Sequence, residues 1–509
     1  MNIKILAFYL PQFYRVPEND EWWGEGFTEW TSVRGAEQLY QGHNQPRIPL
    51  NNNYYNLLEY NTMAWQAELM RKYRIDGMCI YHYWFENGKR ILEKPAENLI
   101  KWTDINMPFC FCWANETWSR TWKKLIETNV WLNADKSIKI INGNDILLKQ
   151  TYGREKDWDE HFHYLLPFFK DNRYIKLNGK PIFVILKQSQ IFQLWEMLNY
   201  FDKKAKENDF PGLYVIGMED ENLNGIDAIS IRQPRNAMWQ YQKKYKSDSQ
   251  TLQVYPYDEL CEIQLEAEVK NNKTYLCGVV DYDSTPRMGK NGIILQNASP
   301  EKFYKYFRQL YKKSISLDNE ILFINAWNEW GEGMYLEPDE KFGYGYLDSI
   351  YSVVSEFEYK SINKNNDLVK DVYTSYNKTQ KNVYNRRNLL SENWEHLNKC
   401  NIDFSIYFKK YKYYDIAIYG MGEFGKRLHN QLINGSINVN FGIDKNIKND
   451  DYIIDIYNPI QQLPKVDAVV ITVIGEYVEI SELLRVKIEC PIITIEEVIQ
   501  ELMFECEQL

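Results

Sequence analysis

Glu329 and Glu332 lie three residues apart in the stretch FINAWNEWGEGMYLEPD, directly after an apolar run typical of a buried strand. Breaking a glycosidic bond needs one carboxyl group that protonates the leaving oxygen and a second that acts at the anomeric side of the sugar. Trp327 and Trp330 flank the two acids and could line a sugar-binding cleft. The alternative is a pair of ordinary loop acids, but the Trp, Asn and Gly residues around them favour catalysis.

Other acids and one arginine also follow predicted strands. Asn115 and Glu116 come after FCFCWA, so Glu116 is a rival catalytic acid, for which we favour a substrate-contact or structural role. Glu25 and Glu29, in WWGEGFTEW, either contact sugar hydroxyls or solvate a loop. Arg287, in DSTPR, either clamps an acidic group of the substrate or closes its loop through a salt bridge.

The remaining candidates are mostly aromatic, because an aromatic ring can pack against the C–H face of a sugar while polar tips reach its hydroxyls. For His82, in IYHYWF, we favour a hydrogen bond in the core over a substrate contact. With Glu329 and Glu332 as the catalytic pair, the predicted substrate-binding residues are Tyr9, Glu25, Glu29, Trp30, His82, Tyr83, Trp84, Trp113, Asn115, Glu116, Arg287, Asn328 and Trp330.

Asp281 and Asp283 form a D-x-D that imitates the divalent-metal motif of nucleotide-sugar transferases. Such an enzyme also needs a nucleotide-binding half before the motif, and no upstream pattern indicates one. We therefore predict no metal ligands and no cofactor for this part of the chain. Cys110 and Cys112 form a C-x-C without the further ligands of a zinc site.

Eight short apolar runs alternate with helix-like stretches through the first two thirds of the chain. This alternation is typical of a parallel sheet covered by helices, and eight repeats predict a (β/α)8 TIM-type barrel over residues 1–358. Polar and aromatic residues gather after the strands, where a barrel carries its active site. Residues 359–410, rich in Asn and Lys, are predicted to be a partly helical linker.

Residues 411–509 begin with a strand, a glycine turn and a helix, YDIAIYGMGEFGKRLHNQL, and predict a small Rossmann-like α/β domain. Gly420, Gly422 and Gly425 match G-x-G-x-x-G, the pattern that lets phosphates approach the backbone. Asp444 follows the next strand, where an acid can hold a ribose. These four residues are the candidates for a nucleotide site in this domain, but its small size, half of a dinucleotide fold, favours a degenerate scaffold or an interaction module over nucleotide binding.

The composition excludes several classes of protein. A net charge of -10 over 509 residues gives no basic surface for nucleic acid. The eight cysteines are scattered and several lie in apolar runs, as expected of reduced thiols in a cytoplasmic protein. We predict neither a signal peptide at the start of the chain nor a transmembrane segment. The oligomeric state cannot be read from the pattern.

Five stretches resemble the WbsX-like family, which is found among bacterial surface-polysaccharide genes: ILAFYLPQFYRVPENDEWWGEGFTEWTSV, GMCIYHYWFENGKRILEKPAENL, PFCFCWANETWSRTW, DYDSTPR and INAWNEWGEGMYLEPD. That family carries the label glycosyltransferase but looks related to glycoside hydrolase family 99. The resemblance covers residues 1–355. The run Asn328 to Gly333, NEWGEG, matches the Asn-Glu-Trp-x-Glu-Gly pattern that holds the acids of family 99.

The resemblance implies a metal-independent, retaining barrel enzyme that cleaves α-mannosides in endo fashion. Glu329 would draw the proton from the sugar 2-hydroxyl, whose oxygen attacks the anomeric carbon to give a 1,2-anhydro sugar. Glu332 would be the general acid for the leaving oxygen and then the base for water. Two carboxyl groups with different pKa values suit these roles.

The leading hypothesis is a cytoplasmic glycoside hydrolase or transglycosylase of bacterial surface polysaccharide, such as the O-antigen of lipopolysaccharide or a capsule. Its partner would be an oligo- or polysaccharide, with peripheral contact to a lipid-linked glycan at the membrane face. A nucleotide-sugar-dependent glycosyltransferase using Asp281 and Asp283 is the first alternative. A non-catalytic sugar-binding assembly module is the second.

Overall fold

The computed structural model describes residues 3–119, 146–219, 224–245, 252–269, 271–362, 387, 389–433, 435–444, 454–474 and 477–506. The chain divides into two compact units, Met1–Tyr359 and Lys360–Leu509. Each unit has its own hydrophobic core and is described by itself.

The first unit is a barrel of eight parallel strands, the seventh in two pieces. The strands are β1 Lys4–Tyr9, β2 Gly77–His82, β3 Phe109–Trp113, β4 Lys180–Ile185, β5 Tyr214–Gly217, β6 Ala228–Ser230, β7 Thr274–Tyr275 with Cys277–Val279, and β8 Ile321–Asn325. The first piece of β7 pairs with β6 and the second with β8, which pairs with β1. These pairings carry the sheet round to its starting strand, and they confirm the predicted barrel fold.

Helices follow the strands and cover the barrel. They are α1 Pro17–Trp23, α2 Glu29–Arg34, α3 Tyr60–Lys72, α4 Lys94–Lys101, α5 Glu155–Lys170, α6 Leu194–Glu207, α7 Arg235–Tyr245, α8 Tyr257–Glu266, α9 Thr285–Met288, α10 Pro300–Ser316 and α11 Gly345–Ile362. In α10, Phe303, Phe307 and Leu310 are fully buried at helical spacing. The strands are buried on both faces, which is why they appear in the sequence as continuous apolar runs.

Short strands and 3-10 turns lie in the segments that connect the main strands and helices. Short strands pair as Trp118–Ser119 with Ile146–Leu148, Lys176–Leu177 with β4, Gln253–Pro256 with Ile293–Gln296, and Asn328–Glu329 with Met334–Tyr335. The 3-10 turns are Leu50–Asn52, Glu86–Gly88, Gln188–Gln190, Gly289–Asn291 and Trp330–Glu332.

Two buried asparagines join neighbouring strand ends at the carboxyl edge of the barrel. Asn328, just after β8, accepts a hydrogen bond from the Leu10 N–H at 2.7 Å and donates to the Leu10 carbonyl at 3.0 Å. Asn115, just after β3, makes the same pair of bonds to the backbone of Lys187, both at 2.9 Å. An amide side chain can replace a missing backbone partner in this way, so both residues fix the loops that carry the acids.

The second unit contains a five-stranded parallel sheet. Its strands are β9 Asp415–Tyr419, β10 Asn438–Ile443, β11 Ile456–Tyr457, β12 Ala468–Ile471 and β13 Ile492–Thr494, in the order β11-β10-β9-β12-β13. Its helices are α12 Ser405–Tyr411, α13 Glu423–Leu432, α14 Tyr477–Arg485 and α15 Ile495–Cys506, and residues 389–399 are also helical. Separate apolar cores lie on the two faces of the sheet, and this strand order is that of a doubly wound fold.

Across the described ranges, we find no helix with both the length and the apolar character that crossing a membrane requires.

Candidate active site

A cavity opens at the carboxyl ends of the barrel strands, where the acids lie. We call it the mouth cavity. Its lining residues are Leu10, Gln12, Trp23, Phe27, Glu29, Ser32, Tyr81, Tyr83, Ala114, Glu116, Trp118, Ser119, Leu147, Leu186, Arg232, Arg287, Glu329 and Glu332. Aromatic rings and carboxylates therefore meet in one concave site, which is the composition expected of a sugar-binding cleft.

Arg287 joins three carboxylates at the base of this cavity. Its Nη2 donates to Glu329 at 2.9 Å, its Nη1 donates to Glu332 at 2.7 Å, and its Nε donates to Glu29 at 2.7 Å. One planar guanidinium can bridge two acids only when they are close together, so the pair predicted from the sequence converges on one point. Glu29 comes from α2, far away in the sequence, and completes the cluster.

The cluster holds more negative than positive charge, which affects its protonation. Burial raises the pKa of Glu329 to about 7; Arg287 opposes this shift, and the neighbouring Glu332 and Glu29 reinforce it. Three carboxylates share one guanidinium, so a proton on Glu329 relieves part of the repulsion near neutral pH. A group that titrates there can accept and release a proton during a reaction.

Local backbone geometry explains why a spacing of three brings the two glutamates together. Glu329 ends a short strand paired with Met334–Tyr335, and Trp330–Glu332 forms a single 3-10 turn. In a 3-10 turn, residues three apart lie on the same side, so Glu329 and Glu332 both reach the cavity. Gly333 ends the turn with a φ of 61°, a left-handed conformation that favours glycine.

A third buried acid, Glu337, supports this turn from behind. Its carboxylate accepts hydrogen bonds from Tyr55 Oη at 2.8 Å, Gln66 Nε2 at 2.7 Å, Trp327 Nε1 at 2.9 Å and Trp330 Nε1 at 2.7 Å. Burial raises the pKa of Glu337 to about 7 against the effect of these donors. Because Trp330 stands between the two cavity acids, Glu337 positions the turn that carries them.

A side chain at Gly331 would collide with the Glu29–Arg287 contact. A Cβ there would lie 1.7 Å from Glu29 Oε1 and 2.8 Å from Arg287 Nε. We expect Gly331→Ala to push Glu29 off Arg287 and to abolish activity on any substrate of the cavity, while the protein still folds. Activity assays and a thermal melt separate the two effects; a fully active Gly331→Ala protein would show that the Glu29–Arg287 contact is dispensable.

The D-x-D aspartates are built into a buried ion-pair network beside the cavity. Arg47 Nη1 donates to Asp281 at 2.8 Å and to the Gly333 carbonyl at 2.9 Å. Asp283 accepts hydrogen bonds from Gln45 Nε2 at 2.8 Å and lies 2.9 Å from His43 Nε2. Both aspartates are at most 5 % exposed. The two aspartates thus hold the loop of residues 43–47 in place. Through Arg47, they also hold the end of the 3-10 turn at Gly333.

Comparison with known proteins assigns the family. The family model described as Glycosyltransferase WbsX matches residues 5–350. The chain belongs to the WbsX family. It is also 30 % identical over 358 residues to the uncharacterized protein WxcX of Xanthomonas campestris pv. campestris, in strains B100 and ATCC 33913, covering 68 % of this chain and 48 % of the relative. The chain thus spans about half the length of the curated relatives it matches.

Comparison with solved structures gives partial similarities. The GH99 endo-alpha-mannosidase from Bacteroides thetaiotaomicron is 15 % identical, with a TM-score of 0.41, over 70 % of this chain and 97 % of that one. A structure described as a glycoside hydrolase-like protein is 13 % identical, with a TM-score of 0.43, over 69 % of this chain and 94 % of that one. The barrel fold of this WbsX-family chain rests on its own strand order.

The structure divides the predicted site residues of this WbsX-family chain into three groups. The residues in the lining of the mouth cavity are Glu29, Tyr83, Glu116, Arg287, Glu329 and Glu332. The residues buried behind it with internal hydrogen bonds are Tyr9, Trp30, Asn115, Asn328 and Trp330. The residues placed elsewhere are Glu25, which is exposed and pairs with Arg15, and His82, Trp84 and Trp113.

His82 lies in an aromatic cluster below the strand ends. Its Nε2 is 2.8 Å from Nε2 of His161, and both rings are buried. Burial lowers the pKa of His82 to about 3 and that of His161 well below its usual value, so both imidazoles are neutral. This is the core hydrogen bond that we favoured for His82. Trp84 stacks on His161, and Trp113 donates to the Trp84 carbonyl at 3.2 Å.

Several residues of the site were not predicted from the sequence. The lining residues that we missed include Gln12, Trp23, Phe27, Tyr81, Trp118 and Arg232. All of these except Arg232 lie within motifs quoted above, so membership of those motifs was the available signal. The supporting residues Glu337 and Arg47 carried no signal, because nothing in a sequence pairs Arg47 with Asp281 across more than two hundred positions.

The glycine motif of the second unit has the close contacts that its pattern suggests. Gly420 has a φ of 89°, and a Cβ on Gly425 would lie 2.2 Å from the Gly420 carbonyl, whereas Gly422 faces open space. Asp444 accepts a hydrogen bond from the Met421 N–H at 2.9 Å. The backbone thus fits a phosphate-binding turn, but Glu423 places a carboxylate at the helix start where a phosphate would bind. Nucleotide binding here stays a prediction.

Proposed function

We propose that this protein is a glycoside hydrolase or transglycosylase that acts on a bacterial surface polysaccharide or its precursor, with Glu329 and Glu332 as its catalytic carboxyl groups. The observation that carries the proposal is the convergence of both acids on Arg287 inside an aromatic-lined cavity at the barrel mouth. Their shared contact with Arg287 places both carboxyl groups within reach of one sugar, as an acid and a base that act on neighbouring atoms of that sugar require.

The two acids would take the roles that the NEWGEG resemblance implies. Glu329 accepts the proton of the sugar 2-hydroxyl as that oxygen attacks the anomeric carbon and forms a 1,2-anhydro sugar. Glu332 donates a proton to the leaving oxygen. When water then opens the anhydro ring at the anomeric carbon, Glu332 removes a proton from that water and Glu329 returns its proton to the 2-oxygen. The raised pKa of Glu329 supports its role, because a carboxylate that titrates near 7 is a stronger base than an ordinary one. Arg287 orients both groups.

The surroundings of the D-x-D disfavour the glycosyltransferase alternative. A metal-dependent transferase needs aspartate oxygens that reach the metal and a nucleotide sugar. Asp281 and Asp283 are instead buried and bonded to Arg47, Gln45 and His43. The third alternative, a sugar-binding module, is disfavoured by the raised pKa of Glu329, since proton exchange near neutral pH serves catalysis more than hydroxyl recognition.

An assay without a nucleotide sugar separates the three functions. The full chain is incubated with oligosaccharides released from its own organism's surface polysaccharide, in EDTA, and the products are sized by mass spectrometry. We expect shortened glycans, or lengthened ones if a second glycan acts as acceptor. A parallel incubation contains nucleotide sugars and a divalent metal without EDTA. Products that appear only in this incubation would overturn the proposal in favour of a transferase, and binding without any product in either would favour the module.

The cytoplasmic location, the contact with a lipid-linked glycan and the nucleotide in the second unit belong to the same proposal. A surface glycan is accessible inside the cell only while it is being assembled, so a precursor on the inner membrane face is the substrate that fits a cytoplasmic enzyme. We further propose that the glycine turn of the second unit binds a nucleotide of that assembly pathway through Gly420, Gly422 and Gly425.

A further inference from the structure

The second unit holds a group of metal-ligand side chains that the sequence patterns did not bring together. His396, Cys400 and Cys506 each offer one ligand atom, and these three atoms lie within 4.8 Å of one another. Among the residues that the structure describes, no other group of three or more His, Cys, Asp or Glu side chains brings its ligand atoms so close. We call these three residues the Cys2His cluster.

Two members of the Cys2His cluster lie on one face at the end of a helix. Residues 389–399 are helical, and the Cys400 N–H continues their bonding pattern by donating to the His396 carbonyl at 3.0 Å. A spacing of four residues places both side chains on the same face. His396 Nε2 lies 3.7 Å from Cys400 Sγ. Asn401 then ends the helix in a left-handed conformation, with a φ of 53°.

The third member comes from the far end of the unit. Cys506 is the last residue of α15. Leu397 of the first helix and Leu502 of α15 belong to one apolar core, against which Cys506 packs. Gln431 Nε2 also donates to Asn398 Oδ1 at 2.6 Å and ties the first helix to α13. Core packing therefore brings the three side chains together, without any help from the ligand atoms themselves.

The donor set and its spacing fit a transition-metal ion. Two thiolates and one imidazole suit Zn²⁺ in a tetrahedral site, whereas Mg²⁺ and Ca²⁺ prefer oxygen ligands. Zn–S bonds of about 2.3 Å and Zn–N bonds of about 2.0 Å place a sulfur and a nitrogen ligand about 3.6 Å apart. The 3.7 Å between Cys400 Sγ and His396 Nε2 matches this distance. Cys506 Sγ then needs to move by at most about 1 Å.

The surroundings leave the cluster accessible and supply a control. His396 and Cys400 are exposed, so an ion in solution can reach them. Glu505, beside Cys506, is paired with Lys410 at 3.1 Å, and we therefore expect water as the fourth ligand. The cysteines of the first unit are all buried, at positions 79, 110, 112, 261 and 277. Cys490 packs against the apolar core on the opposite face of the second unit's sheet.

We propose that the Cys2His cluster binds one Zn²⁺ ion and thereby ties α15 to residues 389–399. Each thiol releases its proton to solvent on binding, and the two thiolates neutralise the charge of the ion. An ion held by segments that meet only in the folded chain stabilises that fold. This site is independent of the catalysis proposed for the mouth cavity, so neither proposal depends on the other.

The test is a metal titration of the full chain, stripped of metal by a chelator and kept reduced by a phosphine. Co²⁺ is the spectroscopic substitute for Zn²⁺. It should give thiolate-to-metal charge-transfer absorption and the visible bands of a tetrahedral site, saturating at one equivalent, and Zn²⁺ should displace it. Added Zn²⁺ should also raise the melting temperature of the protein. Absence of the charge-transfer absorption at saturating Co²⁺ would overturn the proposal.

Variants show whether these three residues bind the ion. Cys400→Ser and Cys506→Ser should each weaken Zn²⁺ binding by at least about 100-fold, more than the loss of a group that only supports a ligand costs. They should also remove the effect of Zn²⁺ on melting. His396→Gln, at an exposed position, should weaken binding without disturbing the core. Cys490→Ser, the same substitution in the same unit, is the matched control and should keep full affinity.

Two results would contradict the site even if some metal binds. The first is binding that survives Cys400→Ser and Cys506→Ser, or that falls as much with Cys490→Ser, because it would show adventitious binding to thiols. The second is a disulfide between Cys400 and Cys506 that forms when the reductant is removed, in a protein that binds no Zn²⁺ while reduced. Mass spectrometry of alkylated peptides detects that disulfide.

Discussion

Replacing Glu332 by Gln is expected to lower the turnover of a natural glycan by about 10³-fold, within the range by which a positioned general acid accelerates a reaction. Gln keeps the shape of the side chain and can accept the Arg287 hydrogen bond, but it cannot release a proton to the leaving oxygen. The measurement is the initial rate of product formation, with a thermal melt to verify that the variant is folded.

The leaving group separates the two catalytic roles. A dinitrophenyl glycoside departs with little need of a proton, so Glu332→Gln should regain most of the lost rate of the bond-breaking step on this substrate. Glu329→Gln should stay slow on both substrates, because removal of the 2-hydroxyl proton is needed in either case. The reverse pattern would exchange the roles of the two acids.

A control acid completes the comparison. Glu25 belongs to the same acidic N-terminal motif as Glu29, but its side chain is 85 % exposed and pairs with Arg15. Glu25→Gln should leave the rate within about twofold of the unmodified protein, since surface ion pairs contribute little. If Glu25→Gln cost as much as Glu332→Gln, the catalytic centre would lie outside the mouth cavity.

The barrel and the meeting of Glu329 and Glu332 at one cavity could be predicted from the sequence because each is a local signal. Continuous apolar runs mark strands buried on both faces, and acids directly after a strand must lie at the carboxyl edge of the sheet. Glu329 and Glu332 meet both conditions. The 3-10 turn between them then brings both side chains to the same side of the chain.

The direction in which each side chain points was harder to predict. Trp330 stands between the two acids in the sequence, yet its ring turns away, stacks on Tyr335 and donates to Glu337. Asn328 binds the Leu10 backbone instead of facing the cavity. A sequence shows which residues follow a strand, whereas the inward or outward direction depends on partners such as Glu337 that join the turn only in the folded chain.

Long-range charge pairing was the other information missing from the sequence. Arg287 had two interpretations, a substrate clamp or a salt bridge, and the structure shows salt bridges to acids from two distant segments. Asp281 and Asp283 imitate a metal-binding D-x-D, and the motif alone does not show which residue they pair with. Arg47 supplies that partner, and their buried carboxylates therefore support the fold around the site.

The stability of the protein is expected to fall as pH rises from about 5 to about 8, because Glu329 and Glu337 resist ionisation in the folded state. Each has a folded pKa of about 7, above the ordinary value of 4.5. Between these two values the folded state binds more protons than the unfolded one. The associated stability is fully present below about pH 4.5 and is lost as pH rises through about 7.

Glu329→Gln tests this origin directly, because it removes the ionisation while keeping the side-chain shape. At about pH 8 we expect it to raise the free energy of unfolding by at most about 3 kcal/mol, since one pKa unit corresponds to about 1.4 kcal/mol. The gain should vanish near pH 4.5, and Glu25→Gln should show none at any pH. Denaturant unfolding across this pH range is the measurement.

The effect of Glu337→Gln on stability should differ from that of Glu329→Gln, although the pKa of Glu337 is raised as far as that of Glu329. Its carboxylate accepts from Trp327, Trp330, Tyr55 and Gln66, and an amide NH2 would face these donors with a donor of its own. We therefore expect a loss of stability at every pH, together with slower turnover as the turn carrying Glu329 and Glu332 loosens. If Glu329→Gln also destabilised the protein at about pH 8, the ionised Glu329 would stabilise the fold through its contact with Arg287, and the predicted loss of stability on its ionisation would be wrong.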